Sequence, residues 1–252
     1  MSARFEELAW RATPIGEISL RRRLDPQLQV DVYEVKIDDA FLMSSLFTVA
    51  EIELARLGLA ALASGTAAPG STAEVVVGGL GLGFTAAAVL EDPAVGSLLV
   101  VDAIGEVISW HERGLLPFAS ALTSDPRCRL VEGDFFAMAA GPAGFDPAAP
   151  GRRFDAILLD VDHSPRNVLA PANAELYTAA GLRRLTAHLK PGGVFALWSD
   201  DPPDAEFTAE LAAVFATSRA HVVTFPNPLT RGESANTVYV GVTASGAAPP
   251  RR

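Results

Sequence analysis

The sequence predicts an α/β protein with a Rossmann-like, mostly parallel sheet, one antiparallel closing strand and a small N-terminal β-appendage. Three observations support this prediction. Apolar runs alternate with helical segments from residue 74 onward, a glycine cluster follows the first of those runs, and acids follow several others. The 252 residues suffice for one such domain with an appendage. We expect a β-hairpin appendage over residues 1–43, the Rossmann-like domain over 44–244 and a disordered tail over 245–252.

The N-terminal part has the patterns of a hairpin followed by a helix. Residues 15–37 alternate apolar and polar side chains around a central Asp-Pro turn signal, which predicts two antiparallel strands. The basic run Arg21–Arg23 is interpreted as a solvated strand edge. Residues 44–63 place apolar side chains at helical spacing, with Ser44 or Ser45 as the expected N-cap.

The glycine cluster lies in residues 74–102, which read as strand, tight turn, helix and strand, ending on Asp102. Gly79, Gly81 and Gly83 allow a sharp turn and a close approach of the backbone to a ligand. A carboxylate about 20 residues after such a turn can accept hydrogen bonds from both ribose hydroxyls. The glycine spacing suits an adenosyl ligand without a pyrophosphate better than a dinucleotide. A structural turn with no ligand is the alternative.

Alternation of strands and helices continues to the C-terminus and ends in a hairpin, which supplies the antiparallel strand. In such sheets, ligands bind beyond the carboxyl ends of the strands. Asp102, Asp134 and Asp160 each follow a predicted strand, and this coincidence is the strongest functional signal in the chain. The predicted strands are 127–131, 154–160, 194–198, 220–225 and 236–243, and the predicted helices between them include 173–189 and 204–217.

Composition narrows the classes of partner. The formal charge of −10 argues against a nucleic-acid partner and is compatible with a cationic substrate. No apolar run reaches the length of a membrane span, and the N-terminal residues lack the apolar segment of a signal peptide. A single cysteine, Cys128, excludes an internal disulfide and fits a cytoplasmic protein. The histidines lack metal-ligand spacing, so we expect no metal site, with His111, His188 and His221 at the surface or the core edge.

Several motifs together resemble class I S-adenosylmethionine-dependent methyltransferases and, more closely, the spermidine synthase (polyamine aminopropyltransferase) family. The motifs are GGLGLGFT, LLVVDAIGEVI, DPRCRLVEGD, RFDAILLDVDHSP, LYTAAGL and LKPGGVFALW, within a resemblance that spans about residues 15–243. The resemblance implies a cofactor that is S-adenosylmethionine or its decarboxylated form, a small-molecule substrate and a homodimer. It also implies binding roles: Gly79, Gly81 and Gly83 under the adenosyl group, Asp102 at the ribose, Asp134 at the adenine amino group and Phe135 beside it.

The loop after the fourth strand of the Rossmann-like domain supplies the catalytic candidates. Asp160 matches the acid that opens the DSSDP-type loop of the family and lies beside the attacking amine. A carboxylate there can orient an amine and accept its proton. Asp162 either lines the acceptor pocket or forms an Asx-turn. His163 is a candidate general base near neutral pH, or a turn residue that pairs with Asp162.

Departures from the family pattern bear on which group is transferred. Leu82 lies where aminopropyltransferases carry an acid that faces the amine of the decarboxylated donor, and leucine cannot bind a cation. The upstream glutamine and tyrosine-histidine-glutamate patterns are not legible in residues 37–55. We therefore expect a methyltransferase for a small acceptor, with an amine as a candidate. The alternatives are a divergent polyamine aminopropyltransferase and a nucleoside-binding module without catalysis.

Overall fold

The fold is described from a computed structural model of the chain. The described residues are 5–13, 16–38, 40–63 and 71–246. Most of the tail predicted to be disordered, from residue 247 on, lies outside these ranges.

The N-terminal residues form a four-stranded antiparallel sheet, so the predicted hairpin is only its middle part. Its strands lie in the order β1 (Phe5–Thr13), β2 (Gly16–Leu24), β3 (Asp31–Ile37) and β4 (Ala40–Ser44). Because β2 lies between two strands, the interpretation of Arg21–Arg23 as a strand edge is wrong. Arg22 instead pairs with Glu6 at 2.6 Å, and Arg23 pairs with Glu34 at 2.8 Å. These cross-strand ion pairs hold neighbouring strands in register.

The second sheet has seven strands and confirms the predicted architecture. Its order is β10-β11-β9-β8-β5-β6-β7, in which β5 to β9 are parallel and β11 is antiparallel to both neighbours. The carboxyl ends of the parallel strands therefore meet at one edge. The strands are β5 (Ala73–Gly78), β6 (Val95–Asp102), β7 (Cys128–Glu132), β8 (Phe154–Leu159), β9 (Leu189–Ser199), β10 (Thr217–Asn227) and β11 (Gly232–Val242).

Helices connect these strands, and three differ from the sequence prediction. The predicted helix 204–217 ends already at Ala212, and β10 begins at Thr217. The first helix begins at Val49 because Ser44 belongs to β4, so the predicted serine cap is wrong. The predicted helix 173–189 is divided in two, because Thr178 has an extended backbone and caps the second part with its side chain. The helices are α1 (Val49–Ala63), α2 (Phe84–Glu91), α3 (Gly105–Glu112), α4 (Ala119–Ser124), α5 (Phe135–Ala140), the 3₁₀ helix Pro171–Tyr177, α6 (Ala179–Thr186) and α7 (Ala205–Ala212).

Both faces of the seven-stranded sheet are covered. Val75 and Val77 of β5 pack on the side of α1 to α4 and the N-terminal sheet, whereas Val76 packs on the side of α5 to α7. This burial on both faces explains why the parallel strands are continuous apolar runs in the sequence. Arg11 of β1 pairs with Glu106 of α3 at 3.0 Å, which ties the N-terminal sheet to the carboxyl edge of β6. None of the helices in the described ranges has the length and apolarity required to cross a membrane.

Candidate active site

The glycine turn after β5 has a backbone that only glycine adopts readily. Gly79, Gly81 and Gly83 have φ values of +93°, +47° and +91°. A Cβ at Gly79 would lie 2.0 Å from the backbone oxygen of Asp160, so the turn is pressed against the end of β8. On its other side, Met43 of β4 lies next to Gly81. The turn is thus enclosed between the end of β8 and the N-terminal sheet.

Asp102, at the end of β6, braces this turn. Its Oδ2 accepts a hydrogen bond from the Leu80 N–H at 2.9 Å, and its Oδ1 accepts one from the Ile104 N–H at 2.8 Å. Burial raises the pKa of Asp102, and the backbone donors oppose that shift. Asp102 as a residue remains partly exposed, and its Oδ1, which accepts one hydrogen bond, can accept a further one from a ligand. Its predicted role at a ribose stays a prediction.

Asp134 begins α5 and is exposed at the same edge of the sheet. Its Oδ1 accepts hydrogen bonds from the N–H groups of Phe136 and Ala137 at 2.9 and 3.1 Å, an N-cap arrangement. Its Oδ2 has no hydrogen-bond partner among the described residues and is available to a ligand. Asp134 and Phe136 line a cavity of about 200 Å³ between α5, the 3₁₀ helix and α6.

Phe135 has a different environment from the one that its predicted role suggests. It is only 3% exposed, and its ring stacks on Phe145 with the ring centroids 4.8 Å apart. A Cβ at Gly78 would lie 2.4 Å from this ring, so Phe135 fills the space beneath the end of β5. The half-buried ring at the cavity belongs to the next residue, Phe136. Phe135 therefore supports the site from the core.

Asp160 follows β8, and Thr85 of α2 holds its side chain. The Thr85 hydroxyl donates to Asp160 Oδ2 at 2.7 Å and also lies 3.3 Å from the backbone oxygen of Glu51. Burial raises the pKa of Asp160 to about 6, and the hydrogen bond from Thr85 opposes the shift. Asp160 therefore titrates close to neutral pH, where a carboxylate can exchange a proton with a substrate.

Glu51, in the first turn of α1, is the residue that the sequence reasoning missed. Its pKa is raised to about 8, first by burial and then by the negative charges of Asp160 and Asp200. Asp200 itself accepts a hydrogen bond from the Asn236 side chain at 2.7 Å. Within the described ranges, no Lys or Arg forms an ion pair with any of these three acids. We call Glu51, Asp160 and Asp200 the carboxylate cluster.

The sequence signal for Glu51 was weak, because it is one of two acids within a largely apolar helical stretch. Nothing in the spacing of the chain connects α1 with the end of β8. Among the described residues, no three His, Cys, Asp or Glu side chains are arranged so that they could hold a metal ion.

Asp162 is fully buried and holds the loop after β8. Its carboxylate accepts hydrogen bonds from the Leu169 N–H at 2.7 Å, the Asn173 side chain at 2.9 Å and the Tyr177 hydroxyl at 2.7 Å. These bonds tie the loop to the 3₁₀ helix. The geometry thus favours a positioning role for Asp162 over a pocket wall. The backbone oxygen of its partly exposed neighbour His163 accepts a hydrogen bond from the Asp200 N–H at 2.7 Å. The role of the His163 side chain as a base stays a prediction.

Two histidines are more deeply buried than expected, and Leu82 is buried as well. His111 has no exposed surface, and its Nε2 lies 3.0 Å from the backbone oxygen of Gly81. His188 is 5% exposed and lies far along the chain, next to the start of β9. Leu82 is 5% exposed and packs in the core shared by α1, α2 and the N-terminal sheet. The turn therefore presents no side-chain acid of its own.

The similarity of this chain to known proteins in sequence is limited. No protein family model matches the chain. Putrescine N-methyltransferase 3 of Nicotiana tabacum is 31% identical over 126 residues, which is 50% of this chain. The chain spans only 29% of the length of that enzyme.

Solved structures match over nearly the whole chain. Spermidine synthase of Thermotoga maritima superimposes with a TM-score of 0.69 and 18% identity, covering 95% of this chain and 74% of that protein. The chain has the spermidine synthase fold. A spermidine synthase bound to the transition-state analogue AdoDATO gives a TM-score of 0.67 at 18% identity, over 95% of this chain and 73% of that one.

A probable spermidine synthase of Corynebacterium glutamicum aligns with a TM-score of 0.62 and 17% identity, over 98% of this chain and 82% of that protein. The spermidine synthase fold confirms the resemblance that the sequence motifs indicate. It also accounts for the separate N-terminal sheet, because the alignments cover almost all of the chain.

Proposed function

We propose that this protein is an S-adenosylmethionine-dependent methyltransferase whose acceptor is a small aliphatic amine of the diamine type. The observation that carries the proposal is the carboxylate cluster beside the glycine turn. Glu51 and Asp160 are partly buried and Asp200 is exposed, and within the described ranges none of these negatively charged groups forms an ion pair with Lys or Arg. An ammonium group entering the cluster would offset this charge and donate hydrogen bonds to the carboxylates. The likeness to a putrescine N-methyltransferase supports the same acceptor class.

The residues at the carboxyl edge suit an adenosyl donor. The glycine turn brings backbone close to the ligand position without intervening side chains. Asp102 retains acceptor capacity for ribose hydroxyls, and the unpartnered Oδ2 of Asp134 can accept from an adenine amino group. When bound, the donor supplies a carbon on a positively charged sulfur, and its transfer leaves a neutral thioether.

The acids of the cluster would prepare the acceptor. A protonated amine cannot attack, so it must first lose a proton to a carboxylate within hydrogen-bond reach. We assign the role of proton acceptor to Asp160, which has a pKa of about 6 and whose carboxylate is fixed at the strand end by the Thr85 hydroxyl. An ammonium group beside Glu51 would favour the ionised form of this side chain, which would then orient the cation. The neutral nitrogen then forms the new bond to carbon, and the carbon–sulfur bond breaks with its electron pair remaining on sulfur.

Leu82 favours methyl transfer over aminopropyl transfer. It lies at the turn position where the sequence resemblance places an acid in aminopropyltransferases, and it is only 5% exposed. A donor with an extra ammonium group would find no carboxylate there. The second candidate is nevertheless a divergent aminopropyltransferase, because the structural neighbours, including the complex with AdoDATO, are spermidine synthases.

Calorimetric titration with S-adenosylmethionine, its decarboxylated form and methylthioadenosine tests the donor, and mass spectrometry of a reaction with putrescine tests the chemistry. Tighter binding of S-adenosylmethionine and an N-methylated product are the expected results. An aminopropylated product would replace the proposal by the second candidate. If the protein bound none of the three nucleosides, both enzyme functions would be rejected.

We also propose a homodimer formed through the N-terminal sheet. Phe5, Trp10 and Phe41 of this sheet are 52%, 53% and 60% exposed, so its edge strands present large apolar side chains to solvent. Sedimentation of the wild-type protein and of a Trp10→Ser, Phe41→Ser variant tests this proposal. A monomeric wild-type protein would refute it.

A further inference from the structure

The imidazole of His111 lies wholly inside the protein, against the glycine turn. It belongs to α3 and contributes no exposed surface. Its Nε2 lies 3.0 Å from the backbone oxygen of Gly81. Because a carbonyl oxygen only accepts hydrogen bonds, Nε2 must carry the hydrogen, which leaves Nδ1 as a buried atom without a partner. The ring is therefore oriented by one hydrogen bond, and that bond is to the turn.

This bond fixes a peptide group that lies at the centre of the turn. Gly81 has a φ of +47°, so its conformation is one of several that glycine can adopt. The C=O of Gly81 and the N–H of Leu82 belong to one planar trans peptide and point in opposite directions. Holding the oxygen on α3 therefore holds the Leu82 N–H on the opposite side of the turn. Within the described ranges, that N–H donates no hydrogen bond.

The ring also fixes the neighbouring residue by contact. A Cβ at Gly83 would lie 2.9 Å from Cε1 of His111, so the imidazole fills the space that a side chain at Gly83 would need. Asp102 holds the turn from the β6 side through the Leu80 N–H. His111 holds it from the α3 side, through the backbone oxygen of Gly81 and the packing against Gly83, so the turn is restrained from two sides.

We propose that His111 is a positioning residue that keeps the glycine turn in its ligand-binding conformation and so sets the affinity for the adenosyl donor. It does so without touching the donor. The inference rests on the proposed function for the identity of the ligand, but the rigidity of the turn can be measured with no ligand present. Loss of one hydrogen bond to a buried acceptor should weaken methylthioadenosine binding about tenfold.

The chain offers a matched control in His188. This histidine is also buried, and its Nε2 lies 3.2 Å from the backbone oxygen of Ala139, away from the glycine turn. His111→Leu and His188→Leu each remove one such bond while keeping similar side-chain volume. Both should lose a comparable amount of stability on urea unfolding, whereas only His111→Leu should weaken nucleoside binding.

The experiment combines calorimetry with methylthioadenosine and hydrogen–deuterium exchange of the peptide spanning 79–84. The expected result is faster exchange in this peptide for His111→Leu alone, and recovery of both affinity and protection in His111→Gln, whose amide N–H reaches the same oxygen. Unchanged exchange in His111→Leu, or equal loss of binding in His188→Leu, would overturn the proposal.

Two further outcomes are also decisive. If His111→Leu does not fold, His111→Gln is compared with His111→Asn, whose shorter side chain cannot reach Gly81. Equal exchange in these two variants would overturn the proposal, and faster exchange in His111→Asn would support it. If the wild-type protein binds no adenosyl ligand, the proposed function fails, but the exchange comparison still decides whether His111 fixes the turn.

Discussion

Replacing Glu51 by glutamine should stabilise the protein at high pH while removing the binding of amines. Glutamine has the shape of glutamate but never carries a charge. In the wild-type protein, burial and the charges of Asp160 and Asp200 raise the pKa of Glu51 from an ordinary value of 4.5 to about 8. Ionising Glu51 therefore costs more free energy in the folded protein than in the unfolded chain.

The size of the effect follows from this pKa shift. Each pKa unit corresponds to about 1.4 kcal/mol, so the full shift corresponds to a cost of about 5 kcal/mol when Glu51 is ionised. Glu51 is partly exposed, and water screens its charge. We therefore expect the glutamine variant to be more stable than the wild type by about 2–3 kcal/mol at pH 9.

The sign of the pH dependence is determined by which state binds more protons. Between pH 4.5 and about 8 the folded protein keeps the Glu51 proton and the unfolded chain does not. The stability of the wild type thus falls as the pH rises through this window, and the variant lacks that decrease. Urea unfolding of both proteins at pH 5 and pH 9 measures this difference, and we expect the wild type and the variant to be nearly equally stable at pH 5.

Glu53→Gln is the control, because Glu53 lies on the same helix in a surface ion pair with Arg56 at 3.1 Å. It should change the stability by less than about 0.5 kcal/mol at either pH. If the Glu51→Gln variant were equally stable relative to wild type at pH 5 and pH 9, the buried-carboxylate interpretation of the cluster would be refuted.

Three further predictions concern the donor site and its support. Asp102→Asn should weaken methylthioadenosine binding about tenfold in calorimetry, since both carboxylate oxygens now accept backbone N–H groups and an amide offers only one oxygen. Asp162→Ala leaves Tyr177 and Asn173 without their acceptor and should lower the unfolding free energy in urea by about 3 kcal/mol. Leu82→Asp should shift donor preference toward decarboxylated S-adenosylmethionine in competition titrations; unchanged preference would contradict the position assigned to Leu82.

The sequence was sufficient to predict the parallel sheet and the position of its ligand edge. Strands buried on both faces are apolar runs, and the residue that follows such a run must lie at the carboxyl edge. Asp102 and Asp160 could therefore be placed at this edge from the order of the amino acids alone. The tight turn could also be predicted from its own residues, because the positive φ angles at Gly79, Gly81 and Gly83 favour glycine.

Strands without alternation could not be predicted in this way. In β1, none of the nine residues from Phe5 to Thr13 is buried, so its sequence carries no period that distinguishes a strand from a loop. The strand forms because its backbone pairs with β2, which is a property of the neighbouring strand. The pairing of β1 with β2 also places Arg21–Arg23 inside the sheet and not at its edge.

The carboxylate cluster was decided by the tertiary structure alone. The charge of Asp160 acts on Glu51 because α1 packs across the sheet, and the Asn236 side chain reaches Asp200 because β11 lies beside β9. No spacing in the sequence encodes either contact. The raised pKa values of Glu51 and Asp160 arise first from burial, which depends on every element that covers the site. Residue types that can do chemistry are visible in the sequence, but the environment that changes their chemistry exists only once the chain has folded.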